Sequence, residues 1–293
     1  MTAALYALRA GKTVLILEAE GIGGQIAFTP RIENYPAIPS LSGAEFADSL
    51  FSQAMSFGGE FSLEKVSAII AGDTLKGVPF NVKTDDGEYN AKTVILALGA
   101  KHRKLGVKGE EEFFGEGISY CALCDGAFFN GKNVFVIGGG NTAITSAILL
   151  SSYCKKVTVV QFLEELTAEV PLIKTLKQKE NVELILNSQI AEFKGDKELK
   201  SVAVKNNASE KITDIPADGV FINVGTESNA KAFENLIKMD EYGYILTDEN
   251  METNVKGIFA AGDCRSKKVR QLTTATADGT IAAMSAVRTI QNS

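Results

Sequence analysis

Residues 133–160 read NVFVIGGGNTAITSAILLSSYCKKVTVV, and this stretch decides the fold. Asn133 to Ile137 is a short apolar run rich in β-branched and aromatic side chains, the length of a buried strand. Gly138, Gly139 and Gly140 impose a tight turn, Asn141 to Ser151 has the length and composition of a helix, and Val157 to Val160 is a second apolar strand. Strand, glycine turn, helix and strand form one unit of a parallel sheet. Gly138, Gly140 and Ala143 fit G-x-G-x-x-A, with Asn141 opening the helix, a spacing that lets a backbone approach a pyrophosphate at a helix N-terminus. At the end of the second strand an acid would grip a ribose hydroxyl and an arginine a 2′-phosphate, yet the chain has Gln161, Phe162 and Leu163, with Glu164 and Glu165 beyond.

A similar unit is legible at the start of the chain. Residues 2–10 have helical character with Gly11 as a stop, and Lys12 to Leu17 forms a strand that ends at Glu18. A glycine-rich turn follows at Gly21 to Gln25, and residues 21–42, with Pro30, Pro36 and Pro39, read as mostly irregular. Ala44 to Phe57 reads as a helix, and Thr93 to Leu98 as a strand ending at Gly99. Beyond a strand at Gly219 to Val224 comes a strand-turn at Gly257 to Asp263 and a small-residue helix from Thr274. The predicted fold is α/β, with two nucleotide-binding (Rossmann-like) domains, the second inserted in the first. Residues 1–114 and 244–293 are assigned to the first domain and residues 115–243 to the second.

The chain has 293 residues, and its 30 basic and 36 acidic side chains give a formal charge of −6, which argues against a nucleic-acid footprint. No run approaches the roughly 18 apolar residues of a membrane span, and Arg9 and Lys12 break the opening apolar stretch, so neither membrane nor export is expected. Four cysteines are too few for a secreted disulfide framework, which points to a reducing cytoplasm. The one histidine, His102, is expected in solvent after a strand, and it leaves little material for triad or metal chemistry.

Cys121-Ala-Leu-Cys124-Asp125-Gly126 carries the chemistry. Two thiols at this spacing close a small disulfide and exchange electrons with another dithiol. A zinc site would want a second such pair, whereas Cys154 and Cys264 stand alone, so no metal is assigned. Taken by itself, Asp125 reads equally as a proton donor to a leaving thiolate and as a solvated or capping acid.

The hexapeptide ahead of a G-x-G-x-x-A unit, Gly23-Gly24-Gln25, Glu33-Asn34-Tyr35-Pro36, the run from Gly219 to Gly225, Ala261-Gly262-Asp263 and Arg270-Gln271 follow one another in a fixed order. In this the chain resembles the low-molecular-weight bacterial thioredoxin reductases over essentially its whole length. The resemblance implies a homodimeric flavoprotein whose FAD, on the split domain, relays two electrons to a disulfide on the inserted domain and then to thioredoxin or a similar dithiol protein. It further implies rotation of the inserted domain about hinges near residues 112–118 and 240–246. Residue by residue, it makes Cys124 the thiol nearest the flavin, Cys121 the attacking thiol and Asp125 the proton donor. It places Glu18 on the adenosine ribose and Gly23, Gly24, Gln25 and Asn34 along the flavin. Asp263, Arg270 and Gln271 would hold the ribityl and isoalloxazine end, and Val66, Gly99 and Gly262 are also assigned to the cofactor.

The chain departs from the family in three places. The family's opening strand and its G-x-G-x-x-G turn have no counterpart, because Met1 aligns with the following helix; the expected start lies roughly fifteen residues upstream. Gln161, Phe162, Leu163 and Thr167 replace the family's cationic grips for NADPH, so poor NADPH binding is expected. NADH and weak NADPH use stay open, as does donation by reduced ferredoxin, the habit of some clostridial relatives. Ala277 stands where a glycine is expected before the last flavin-side helix. If no FAD binds, the alternative is a non-catalytic relic of the fold.

Overall fold

The computed structural model describes residues 1–29, 31–72 and 76–292, so Pro30 lies outside it. Helices cover Thr2–Arg9 (α1), Gly43–Ser56 (α2), Ala122–Asp125 (α3), Asn141–Leu150 (α4), Val170–Lys177 (α5) and Leu272–Gln291 (α6). The chain divides into two compact units, Met1–Lys101 with Glu227–Ser293, and His102–Thr226. The passages thus fall at 101/102 and 226/227 rather than at 114/115 and 243/244, and the expected hinge segments lie inside the units. The reason is packing. Phe113 is buried in one core with Phe135 and Val220, and Leu105 and Val107 pack against it, whereas Ala230, Phe233 and Ile237 are buried with Ile69, Phe80 and Ile258.

The inserted unit is built on a five-stranded parallel sheet, in the order Val182–Ile185, Lys156–Val160, Asn133–Ile137, Gly219–Ile222 and Ile118–Ser119. Alternation along the central strand sends its side chains to opposite faces. Val134 and Val136 pack with Ile144, Ala147 and Leu150 of α4, while Phe135 and Ile137 pack with Val202 and Val204. Those two valines belong to a three-stranded antiparallel sheet, Ser188–Gly195, Leu199–Asn206 and Ile212–Pro216. Each such buried aliphatic or aromatic side chain contributes about 1.5 to 3 kcal/mol.

The split unit carries two separate parallel pairs, Leu15–Glu18 with Glu60–Leu63 and Val94–Leu96 with Ile258–Ala260, beside an antiparallel sheet of Val66–Ile70, Phe80–Thr84 and Glu88–Ala91. The first strand is shorter than the expected Lys12 to Leu17. Helix α6 starts at Leu272, two residues before the expected Thr274, and buries Asp278, Gly279, Ala282, Ala283 and Ala286. At Gly279 a Cβ would meet the Ala3 backbone nitrogen and Thr2 Cβ, each at 3.2 Å, so glycine is what lets α1 lie close against α6. Among the described residues of 21–42 irregular structure dominates, apart from a 3-10 turn at Gly24–Phe28.

Candidate active site

Cys121 and Cys124 lie just beyond the carboxyl end of the edge strand Ile118–Ser119, where α3 begins. They are joined as a disulfide with a Cα–Cα distance of 5.3 Å, and the Cys124 N–H donates to Cys121 Sγ at 3.2 Å. Leu123 between them is 61 % exposed, so the pair stands at the surface of its unit. The other two cysteines, Cys154 and Cys264, are buried and unbonded, and they belong to different units.

Asp125 closes the short helix. Burial pushes its carboxyl pKa upward, while the Ser119 hydroxyl, which donates to Oδ2 at 2.6 Å, works the other way. The peptide ahead of the dithiol is fixed from behind. The Tyr120 hydroxyl donates to Glu110 Oε1 at 2.9 Å, and the buried Glu110 carboxylate also accepts the Leu105 and Gly106 N–H groups at 3.0 and 2.7 Å. The Tyr120 carbonyl accepts from Asn223 Nδ2 at 3.3 Å. His102, expected in solvent, instead stacks on Tyr120 with ring centroids 4.9 Å apart, and burial pushes its pKa down.

The glycine turn is adapted to its neighbours. A Cβ on Gly138 would come within 2.4 Å of the Asn223 carbonyl oxygen, at a φ of +126°. Gln161 is folded inward, 3 % exposed, and packs over Gly139, where a Cβ would meet its Nε2 at 2.5 Å. At the start of α4, Asn141 Nδ2 donates to Glu169 Oε1 at 3.1 Å and Asn141 Oδ1 accepts the Glu169 N–H at 2.8 Å. Phe162 and Leu163 are exposed. The strand end thus presents apolar side chains, and the helix start carries a carboxylate where a dinucleotide phosphate would approach.

In the split unit several expected cofactor residues come together. Asn34 Nδ2 donates to Gln271 Oε1 at 3.2 Å, Arg270 Nε donates to the Asp263 carbonyl at 3.2 Å, and the Arg270 guanidinium lies 4.0 Å from the Tyr244 ring centre. Gly23, Gly24, Gly99 and Gly262 all have positive φ. Gln25 lies in the 3-10 turn after Gly24, and Glu18 Oε1 accepts the Ala19 and Glu20 N–H groups at 2.9 Å. Val66 packs against the core of Ile69 and Phe80. Ala277, at the expected glycine position, lies within α6.

Asp263 Oδ1 is buried without a donor among the described residues, and burial pushes that carboxyl pKa upward against the pull of Lys267 and Arg270. Such an orphaned acceptor costs about 1 to 3 kcal/mol unless a ligand supplies a hydroxyl or N–H. The hydroxyls of a ribityl chain are donors of that kind, so the residues present fit FAD.

Sequence reasoning missed Ser119, Glu110 and Asp278. Asp278 Oδ2 accepts the Gly262 N–H at 3.1 Å, Arg265 Nη1 at 3.0 Å and Lys267 Nζ at 2.8 Å, and so holds the loop that carries Asp263. A charged residue in the small-residue face of α6 was the available signal, because an acid there is buried only when paired. Nothing in the sequence marks Ser119 or Glu110, whose partners depend on the fold.

The profile of the pyridine nucleotide-disulphide oxidoreductases matches residues 1–279. The chain belongs to that family, whose members are oxidoreductases acting on a disulfide, and its fold is two Rossmann-like α/β units. It is 42 % identical to a "34.2 kDa protein in rubredoxin operon" of Clostridium pasteurianum, over 99 % of this chain and 93 % of that protein. It is also 42 % identical to a thioredoxin reductase of Listeria innocua, covering 99 % of this chain and 90 % of the relative. Among solved structures it matches thioredoxin reductase from Streptococcus pyogenes with a TM-score of 0.95 at 39 % identity, covering 100 % of this chain and 94 % of the other.

Proposed function

We propose that the chain is a thioredoxin-disulfide reductase in which FAD held by the split unit supplies two electrons to the Cys121–Cys124 disulfide, and the resulting dithiol reduces thioredoxin. The observation that carries this reading is the surface disulfide with, at the next residue, a half-buried carboxyl whose pKa burial pushes upward. Cys121 attacks one sulfur of the substrate disulfide. A bond forms to Cys121 Sγ, the substrate S–S bond breaks, and the departing sulfur takes a proton from Asp125. Cys124, its proton passed to the Asp125 carboxylate, then attacks Cys121 Sγ; the Cys121–substrate bond breaks as the Cys121–Cys124 bond closes, and the second substrate sulfur takes from solvent the proton that Cys121 released on attacking. Two enzyme thiols become a disulfide as one substrate disulfide becomes two thiols.

For the cofactor, Asp263, Arg270, Gln271 and Asn34 would hold the ribityl and ring end, Glu18 the adenosine ribose, and Gly23, Gly24, Gln25, Gly99 and Gly262 the close backbone approach, with Val66 beside it. We place the enzyme in the cytoplasm as a homodimer. No helix among the described residues is long and apolar enough to cross a membrane.

The electron donor is the point on which this chain stands apart. Gly138, Gly140 and Asn141 keep the frame of a nucleotide site, but Gln161 over Gly139, Glu169 on Asn141 and the exposed Phe162 favour a donor other than NADPH, either NADH or reduced ferredoxin. The test is anaerobic addition of each donor to the FAD-loaded chain while the oxidised flavin band is followed. NADPH is expected to bleach it no better than NADH, and Phe162→Arg to tighten NADPH about tenfold through one new phosphate contact. Rapid bleaching of the native chain by micromolar NADPH alone would refute the donor reading. Failure of any reductant to deliver electrons to thioredoxin would refute the function.

A further inference from the structure

The peptide ahead of the dithiol holds a hydroxyl that the chemistry above leaves unused. Ser119 ends the edge strand and is 6 % exposed. Its Oγ accepts the Cys121 backbone N–H at 3.0 Å and donates to Asp125 Oδ2 at 2.6 Å. A serine hydroxyl carries one proton. The Cys121 N–H can only donate, so it fixes Oγ as the acceptor on that side and aims the hydroxyl proton at the carboxyl. The carbonyl and hydroxyl of Tyr120, bonded to Asn223 and Glu110, keep the intervening residue from turning.

We propose that Ser119 is a positioning residue of the disulfide chemistry: oriented by the Cys121 N–H, its hydroxyl ties the Asp125 carboxyl to the backbone of the attacking cysteine and favours the carboxylate left after proton donation. This rests on the reading of Asp125 as proton donor. A hydrogen bond to the ionised form strengthens the acid, and here it opposes burial. Few other groups can set that balance. The 3-10 turn Gly126–Phe129 and helix α4, which pack on α3, contain no ionisable side chain. Tyr153 packs at Gly126 and the Tyr120 phenol is committed to Glu110, and the two influences that shift the Asp125 carboxyl are its burial and the Ser119 hydrogen bond.

The experiment titrates Asp125 directly. Its carboxyl infrared band, assigned by loss in Asp125→Asn, is followed against pH in the native chain, Ser119→Ala and Ser119→Thr. Ser119→Ala is expected to titrate at higher pH than the native chain, and Ser119→Thr, which keeps the hydroxyl, to titrate with it. In reactions of the reduced dithiol with a small aromatic disulfide, the alkaline limb of the rate should move upward in Ser119→Ala. Its plateau should fall about tenfold, the loss expected for one charge-assisted hydrogen bond. Should Ser119→Ala fold poorly, the isosteric Ser119→Val set against Ser119→Thr makes the same comparison. An unshifted titration overturns the proposal and leaves the dithiol chemistry standing. Native turnover in Asp125→Asn overturns the proton-donor reading, and the proposal with it.

Discussion

Asp278→Asn is expected to destabilise the split unit by about 3 to 5 kcal/mol. The native carboxylate is buried, and one oxygen takes the Gly262 N–H, Arg265 and Lys267, whose side chains are each 12 % exposed. An asparagine carbonyl still accepts the backbone N–H, so the damage lies in the two cations left without a counter-charge. Breaking a buried pair in this way costs about 3 to 5 kcal/mol, a large part of a typical stability of about 5 to 15 kcal/mol. For a unit of this size the midpoint should fall by roughly 10 °C.

Far-UV circular dichroism during heating measures that fall, and FAD retention measures whether the Asp263 loop has loosened. Lys267→Met supplies the contrast. Two cations share one carboxylate, so removing Lys267 leaves a balanced Arg265–Asp278 pair and should cost less than about 1 kcal/mol. Comparable losses from Asp278→Asn and Lys267→Met, or a native midpoint in Asp278→Asn, would refute the reasoning.

Other expectations concern the dithiol unit. After reduction, the folded chain should show two thiols reactive to an aromatic disulfide at pH 8 and four once unfolded, because Cys264 is buried and burial pushes the Cys154 thiol up to about 11. Cys121→Ser should leave one reactive thiol, Cys124, and abolish turnover with thioredoxin. Full activity in that variant would remove Cys121 as the attacking thiol. Asp125 gives a pH-dependent stability effect of defined sign. Its pKa is raised in the folded chain, so folding is favoured at low pH and loses that contribution as pH rises through the folded pKa. Asp125→Asn, which stays neutral, should therefore gain midpoint relative to the native chain at pH 8 and not at pH 4, as read by paired thermal melts.

In the inserted unit the two central strands, the helix between them and the strand from Gly219 were legible because their side chains follow simple periods: four apolar residues after Asn133, then glycines, then a helix; the edge strands Ile118–Ser119 and Val182–Ile185 and the antiparallel sheet were not. The boundaries between units were not, because residues 103–114 and 229–243 hold little regular structure beyond a 3-10 turn at Asn229–Phe233, and their allegiance is decided by which core takes Phe113 or Phe233. The same holds for side chains at the site. Cys121 and Cys124 announce themselves by spacing, whereas His102 becomes a stacked ring only because the fold brings Tyr120 beneath it. Gln161 could be read as a lost cation but not as a side chain folded over Gly139, since that depends on the rotamer a crowded strand end allows.

The inserted unit has one further property. The Arg103 N–H donates to the Gly225 carbonyl at 3.0 Å, so the two ends of His102–Thr226 meet at a single point of that unit. A segment whose ends coincide can be spliced into a host chain, or lifted out of it, without stretching either backbone. The disulfide-bearing half is therefore a cassette in the genetic sense. It can be transplanted as one continuous coding block, or reopened at the exposed hairpin between Asn206 and Ile212 with its old ends fused, and its sheet register would be expected to survive.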